Sequence, residues 1–183
     1  GPAGLGAVQA ARSHDDCDVV AVHDRDPAAA RRLARGSGLG FATGDFDQLL
    51  GYGVDFVVLT GPLADRVDQV RRAAEQAVPC LVHAPMAPDL AAAREMAAVA
   101  AAHEVRLGVC VPGQADPVVE QLRRMIASDW LGGVVAVQAI RGDDELLRAG
   151  SVTHRGDPFL TLGSEHVHLA TWLTGRRAAS VTA

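Results

Sequence analysis

A chain of 183 residues that is 49% hydrophobic and 21% charged can bury a core, so disordered and fibrous architectures are set aside. Its formal charge is −5, with arginine and acidic residues interspersed, so no basic stripe is present to neutralise a phosphate backbone and nucleic acid is disfavoured as a partner. No apolar run reaches the roughly 20 residues of a membrane helix and no charged-then-apolar leader pattern opens the chain, so a cytoplasmic protein without membrane contact is expected.

Gly1-Pro2-Ala3-Gly4-Leu5-Gly6 reads as a glycine-rich turn leading into a helix over Leu5–Ser13. Short apolar runs at Asp18–His23, Gly40–Thr43, Phe56–Thr60, Cys80–His83 and Arg106–Val111 read as strands. Between them the spacing predicts helices over Pro27–Arg35, Asp65–Ala77 and Leu90–His103. Asp26 before Pro27, and Asp89 before its apolar run, stand as N-caps. This alternation predicts an α/β fold with a Rossmann-type, doubly wound parallel sheet over residues 1–115. Further on, a helix runs from Asp116-Pro117 to about Ser128, Leu131-Gly132-Gly133 makes a turn, and Val134–Ile140 reads as a strand. Arg141–Asp157 reads as a polar loop, Ser164–Leu173 as a helix, and Ala179–Ala183 as a terminal strand.

Both ends suggest absent structure. A first strand, which would lie mid-sheet, is missing before Gly1, so a gap in the sheet is expected. Two strands after Val134 cannot form a layer alone, so a strand-supplying partner or a homo-oligomer is expected. Cys17, Cys80 and Cys110 lie far apart without a CxxC pair. They read as thiols of a reducing compartment, with no disulfide or zinc site.

Gly1, Ala3 and Gly6 occupy the glycine places of a GxGxxG pattern, with alanine in the middle place where glycine lets a pyrophosphate approach the helix N-terminus. About 20 residues on, Asp24 closes a strand where a carboxylate would accept the adenosine ribose hydroxyls. That favours NAD over NADP by repelling a 2′-phosphate, while the adjacent Arg25 keeps NADP open. The competing reading is a glycine turn and a capping aspartate in a domain that binds no nucleotide.

Several stretches carry a resemblance. They are Val19-Val20-Ala21-Val22-His23-Asp24-Arg25-Asp26-Pro27, Cys80-Leu81-Val82-His83-Ala84-Pro85-Met86-Ala87, Ala91 to Ala97, Asp116-Pro117 through Leu131-Gly132-Gly133-Val134, and Leu162-Gly163-Ser164-Glu165-His166 through Thr174-Gly175. In this order the chain resembles the Gfo/Idh/MocA oxidoreductases, named for glucose-fructose oxidoreductase and inositol dehydrogenase. The resemblance implies an N-terminal NAD(P)-binding domain, here 1–115. It also implies the beginning of a C-terminal domain, here 116–183, whose open and largely antiparallel sheet often mediates oligomerisation. Its members move hydride to or from a sugar, cyclitol or similar small hydroxylated substrate. The cofactor contacts implied are Gly1, Ala3, Gly4, Leu5, Gly6, Asp24, Arg25, Thr60, Gly61, Pro62 and Pro85.

The family's catalytic pattern is Glu-Lys-Pro, then an Asp and a His four residues apart. Here those places read His83-Ala84-Pro85, Thr161 and Glu165. No lysine occurs anywhere in the chain, and an arginine-rich composition accounts for that without selection at a site. Ala84 can neither hold a hydroxyl nor take its proton. The family's histidine after the fourth strand aligns with Arg66, and its aromatic and basic residues after the sixth give way to Pro112-Gly113-Gln114-Ala115. Pro85 is expected to keep a rigid turn at the strand end, for which a cis peptide is considered. His83, Glu165 and His166 are the remaining candidates for proton transfer, with Glu165 and His168 three apart on one helix. A metal held by Glu165, His166, His168 and His154 is weighed and set aside, because HxH on a helix points two rings to different faces. The rival class is a catalytically silent binding or assembly protein built on a Rossmann scaffold.

Overall fold

The computed structural model describes residues 2–140, 160 and 163–182. Gly1, residues 141–159 (His154 and the stretch read as a polar loop among them), Thr161, Leu162 and Ala183 lie outside the described residues. The chain divides into two compact units, Gly1–Cys110 and Val111–Ala183.

In the first unit helices alternate with parallel strands. The order is α1 (Pro2–Arg12), β1 (Ala21–His23), α2 (Pro27–Gly36), β2 (Phe41–Thr43), α3 (Phe46–Leu50), β3 (Val57–Leu59), α4 (Leu63–Glu75), β4 (Cys80–His83), α5 (Leu90–Ala102) and β5 (Leu107–Cys110). β1 pairs with β2, while β3, β4 and β5 form a second ladder in that order. Among the described residues no ladder joins the two sets. The register places Val57 beside Cys80 and His83 beside Cys110, so His83 is the last paired residue of β4.

Period-two alternation decides what is buried. Val57 and Leu59 are buried while Val58 between them is 38% exposed, and Cys80 and Val82 face the same side. Against that side α4 sets Val70 and Ala73, and α5 sets Met96, from the buried stripe of each helix. Burial pushes the Cys80 thiol up to about 11, so it packs as a small apolar group. None of the three cysteines is disulfide-bonded.

The caps fall where the sequence places them. Asp26 accepts from the Ala28 amide and Asp89 from the Ala92 amide, each at 2.8 Å. α3 is the element that periodicity misses, since five residues are too short to show a helical repeat. Its signal is the cap: Asp45 accepts the Asp47 amide at 2.9 Å, and Phe46, Leu49 and Leu50 are buried. Arg72 of α4 secures it, reaching Asp47 at 2.6 Å and lying over the Phe46 ring.

The second unit holds a 3₁₀ turn (Pro112–Ala115), α6 (Pro117–Ala127) and α7 (Ser164–Thr174). Asp116 caps α6 and Gly175, at φ 67°, ends α7 in the left-handed region that glycine tolerates best. Arg123 of α6 lies over the Trp172 ring of α7 at 4.6 Å. The strands expected at Val134–Ile140 and Ala179–Ala183 are not formed, since the described parts of both carry no regular structure. A strand exists only where a neighbour takes up its backbone donors and acceptors, and no ladder reaches these segments among the described residues. Their apolar side chains are correspondingly bare, Val135 at 99% and Ile140 at 85% exposure.

Because Met96 is fully buried against β3 and β4 whereas Leu90 at the start of the same helix is 65% exposed, the two should respond differently to truncation. Met96→Ala is expected to cost about 2–5 kcal/mol in urea unfolding. Leu90→Ala should stay within about 0.5 kcal/mol. Equal losses would mean that α5 packs by another face.

Candidate functional site

Parallel strands present their carboxyl ends on one side, and the loops that follow them converge there. In the first unit these loops are Asp24-Arg25 after β1, Thr60-Gly61-Pro62 after β3 and His83-Ala84-Pro85 after β4. The first turn of α1 joins them: a β-carbon added to Gly4 would stand 3.4 Å from Thr60 Oγ1.

The turn expected across residues 1–6 is instead helix from Pro2 onward. Proline at the first helical position has no amide to satisfy and a φ already suited to the helix, which lets the helix begin early. Ala3 and Gly4 therefore lie in its first turn, where amides lack intrahelical acceptors, and Leu5 and Gly6 follow them in the helix. A β-carbon at Gly6 or at Gly61 would meet nothing within 4 Å, so packing within the chain does not demand glycine at either place.

At the end of β1, Asp24 Oδ1 accepts the Asp26 amide at 3.0 Å, and its second oxygen has no partner among the described residues. His23 beside it packs edge-on to Phe46, with centroids 5.4 Å apart. Burial lowers the His23 pKa, and the Asp24 carboxylate opposes that shift.

Two charged residues in the first turn of α4 organise the rest. Asp65 is buried and pairs with the Arg25 guanidinium, whose side chain is 73% exposed. Arg66 is 5% exposed and donates to three carbonyls: Gly61 at 3.0 Å, His83 at 2.5 Å, and Pro85. It has no carboxylate within ion-pair distance among the described residues. Burial lowers its pKa, and it remains a cation held by carbonyl dipoles. Sequence reasoning named Arg66 only as a departure from a family pattern and Asp65 only as a helix start. A signal for Arg66 was available, because Arg66, Val70 and Ala73 are spaced i, i+4, i+7 and share the buried stripe of α4.

The Ala84–Pro85 peptide is cis, and the Ala84 amide donates to Cys110 O at 2.9 Å, carrying the β4–β5 pairing one residue further. His83 is half-buried. Its Nδ1 lies 2.7 Å from Ala84 O, and since a carbonyl only accepts, Nδ1 carries the hydrogen. In the neutral ring Nε2 then holds the basic lone pair.

Glu165 and His166 stand at the start of α7 in the second unit. Glu165 Oε1 accepts the Gly113 amide at 3.1 Å, binding the 3₁₀ turn to α7. A β-carbon on Gly113 would come within 2.7 Å of Leu169 Cδ1, so any larger residue there would have to displace the end of that leucine side chain. His168 Nε2 meets Gln114 Nε2 at 2.8 Å. Among the described residues no three His, Cys, Asp or Glu side chains converge as metal ligands, and no helix is long and apolar enough to cross a membrane.

Residues of the first unit fit a dinucleotide: α1 amides free for phosphate, open space before Gly6 and Gly61, and an uncommitted Asp24 oxygen for a ribose hydroxyl. The family model for Gfo/Idh/MocA, described as an oxidoreductase family with an NAD-binding Rossmann fold, matches residues 1–111. No curated protein matches the chain in sequence. Among solved structures, scyllo-inositol dehydrogenase from Lactobacillus casei is similar at 17% identity and a TM-score of 0.83, over 94% of this chain and 52% of that one. An oxidoreductase from Agrobacterium radiobacter, solved with NAD⁺, L-tartaric acid and magnesium, is similar at 19% and 0.82 over 94% and 52%. The WlbA dehydrogenase from Bordetella pertussis, solved with NADH and UDP-GlcNAcA, is similar at 22% and 0.78 over 94% and 52%. The chain thus spans about half the length of these structures, and at such identities the likeness shows the fold.

Arg66→Met removes three carbonyl partners at similar side-chain length. A loss of about 2–4 kcal/mol is expected in chemical denaturation. A loss below about 0.5 kcal/mol would mean that water replaces the guanidinium at no cost.

Proposed function

Because the chain belongs to the Gfo/Idh/MocA oxidoreductase family, whose Rossmann domain binds NAD, we propose that its first unit holds NAD(H) for oxidation or reduction of a small hydroxylated substrate such as a sugar or cyclitol. The observation that carries this is the uncommitted carboxylate oxygen of Asp24, set at the same strand ends as the opening turn of α1. The amides of Ala3 and Gly4 would take the pyrophosphate, with Gly1, Leu5 and Gly6 beside it. Asp24 would take the adenosine ribose, and Thr60, Gly61, Pro62 and Pro85 would wall the crevice. Asp24 favours NAD over NADP, and Arg25 is the residue through which NADP would be admitted. When bound, the cofactor supplies the hydride or receives it.

What the chain itself supplies is a proton route. His83 Nε2 is the base in this proposal: Nδ1–H is committed to Ala84 O, so the ring is held in the tautomer that leaves Nε2 as acceptor for a hydroxyl proton. Ala84, in the place of the family's lysine, brings no charge to a developing alkoxide. Glu165 and His166 are secondary candidates in the second unit, and the Gly113 contact favours a structural task for Glu165. The substrate class is supported by similarity to structures named as a scyllo-inositol dehydrogenase and as the WlbA dehydrogenase in complex with NADH and UDP-GlcNAcA. A cytoplasmic location and a homo-oligomer, or a partner supplying strands to the second unit, complete the proposal.

The second reading is a catalytically silent scaffold. It is favoured by one observation: Arg66 occupies the place of a family histidine and spends its donors on backbone carbonyls.

NADH fluorescence titration separates nucleotide binding from its absence. Asp24→Ala is expected to weaken NADH by about 1–2 kcal/mol, the scale of a hydrogen bond to a charged group; an unchanged affinity would remove Asp24 from the site. In assays over sugars and cyclitols, His83→Asn should lower turnover about 10²-fold to 10⁴-fold with NADH affinity retained. NADH binding with no turnover by the parent protein on any polyol would favour the scaffold.

A further inference from the structure

Asp24 alone does not settle which nicotinamide cofactor the crevice accepts, because a 2′-phosphate carried into it would also meet Arg25. An exposed arginine beside an acidic strand-end residue is ordinarily free to swing toward such a phosphate and neutralise it. In this chain it is not free. The Arg25 guanidinium is paired with Asp65, a carboxylate 40 residues away in the first turn of α4, whose side chain is only 9% exposed. Asp65 is therefore shielded from water while its partner is 73% exposed. Taking Arg25 away would leave a buried carboxylate uncompensated, and that cost opposes any phosphate that competes for the guanidinium.

We propose that Asp65 is a specificity-determining positioning residue: by tethering Arg25 to α4 it keeps the guanidinium from the ribose 2′-position and makes the crevice selective for NAD(H) against NADP(H). The inference rests on the reading of the first unit as the nucleotide site. Asp24 excludes the 2′-phosphate by repulsion, and Asp65 excludes it by withholding the cation that follows Asp24 in the chain. Both act on the adenosine half of the cofactor, so neither needs to touch the reacting atoms. With the tether gone, Asp24 still repels, so the preference should narrow rather than invert.

The test is titration of the full chain with NADH and with NADPH, read as the ratio of the two dissociation constants. Asp65→Asn keeps the side-chain size and removes the charge. It is expected to shift the ratio about tenfold toward NADPH, with NADH affinity changed less than about threefold. Adding Arg25→Ala to that variant should abolish the shift, because the released guanidinium is what greets the phosphate. A general disturbance of the fold would weaken both cofactors together and leave the ratio alone, so the ratio reports tethering specifically. Asp65→Ser repeats the measurement if Asp65→Asn fails to fold, and a cooperative melt qualifies either variant. An unchanged ratio in a folded variant, or a shift that survives Arg25→Ala, overturns the inference while NADH binding stands. Failure of the parent chain to bind either cofactor overturns the nucleotide-site reading and this inference with it.

Discussion

A guanidinium that is 5% exposed and has no carboxylate partner among the described residues must be held by something else, and Arg66 is held by the carbonyls of Gly61, His83 and Pro85. Desolvating a cation costs several kcal/mol, which only well-placed dipoles offset, so the loops after β3 and β4 are not free to drift apart. This ties the position of His83 to the position of Gly61 and Pro62. The crevice at these strand ends inherits its shape from that constraint, and the nucleotide reading depends on the shape.

Charge is distributed in this unit in an uncommon way. A family member would place a lysine at the residue before Pro85; here the local cation is Arg66, one helical turn into α4 and turned toward backbone. The neighbouring Asp65 is turned toward Arg25. Adjacent residues of opposite sign thus serve three different loops, Asp65 the one after β1 and Arg66 those after β3 and β4. An arginine can do this where a lysine could not, since its planar fork reaches several acceptors at once and stays charged when buried. The electrostatics of the strand ends therefore rest on fixed guanidinium groups rather than on a titratable amine.

In the second unit the same logic runs through a glycine. Gly113 lets the 3₁₀ turn approach α7 closely enough for Glu165 to accept its amide and for Leu169 to pack on it. The acid that a catalytic pattern would mark as reactive thus has a positional task. In the same unit Val135, Ile140 and Val181 stay largely exposed, as expected of segments whose backbone groups join no ladder among the described residues.

Much of the fold was legible in the chain because its signals are local. β-rich runs with helical stretches between them announced parallel strand-helix units, and Asp26 and Asp89 announced their caps. α3 escaped because a five-residue helix has no period, although Asp45 carried its cap. The strands at Val134–Ile140 and Ala179–Ala183 were read from composition alone, and strand formation is not a property of one segment: it requires a partner that composition cannot supply. Asp65 and Arg66 were present as two adjacent letters of opposite charge, yet which loop each one binds depends on residues 17 to 40 positions distant. The local periodicities of 2 and 3.6 determined which elements form and which faces they bury. Only the tertiary structure decided where each buried charge finds its counterpart, because long-range pairing is set by how strand ends are brought together and leaves no periodic trace in the sequence.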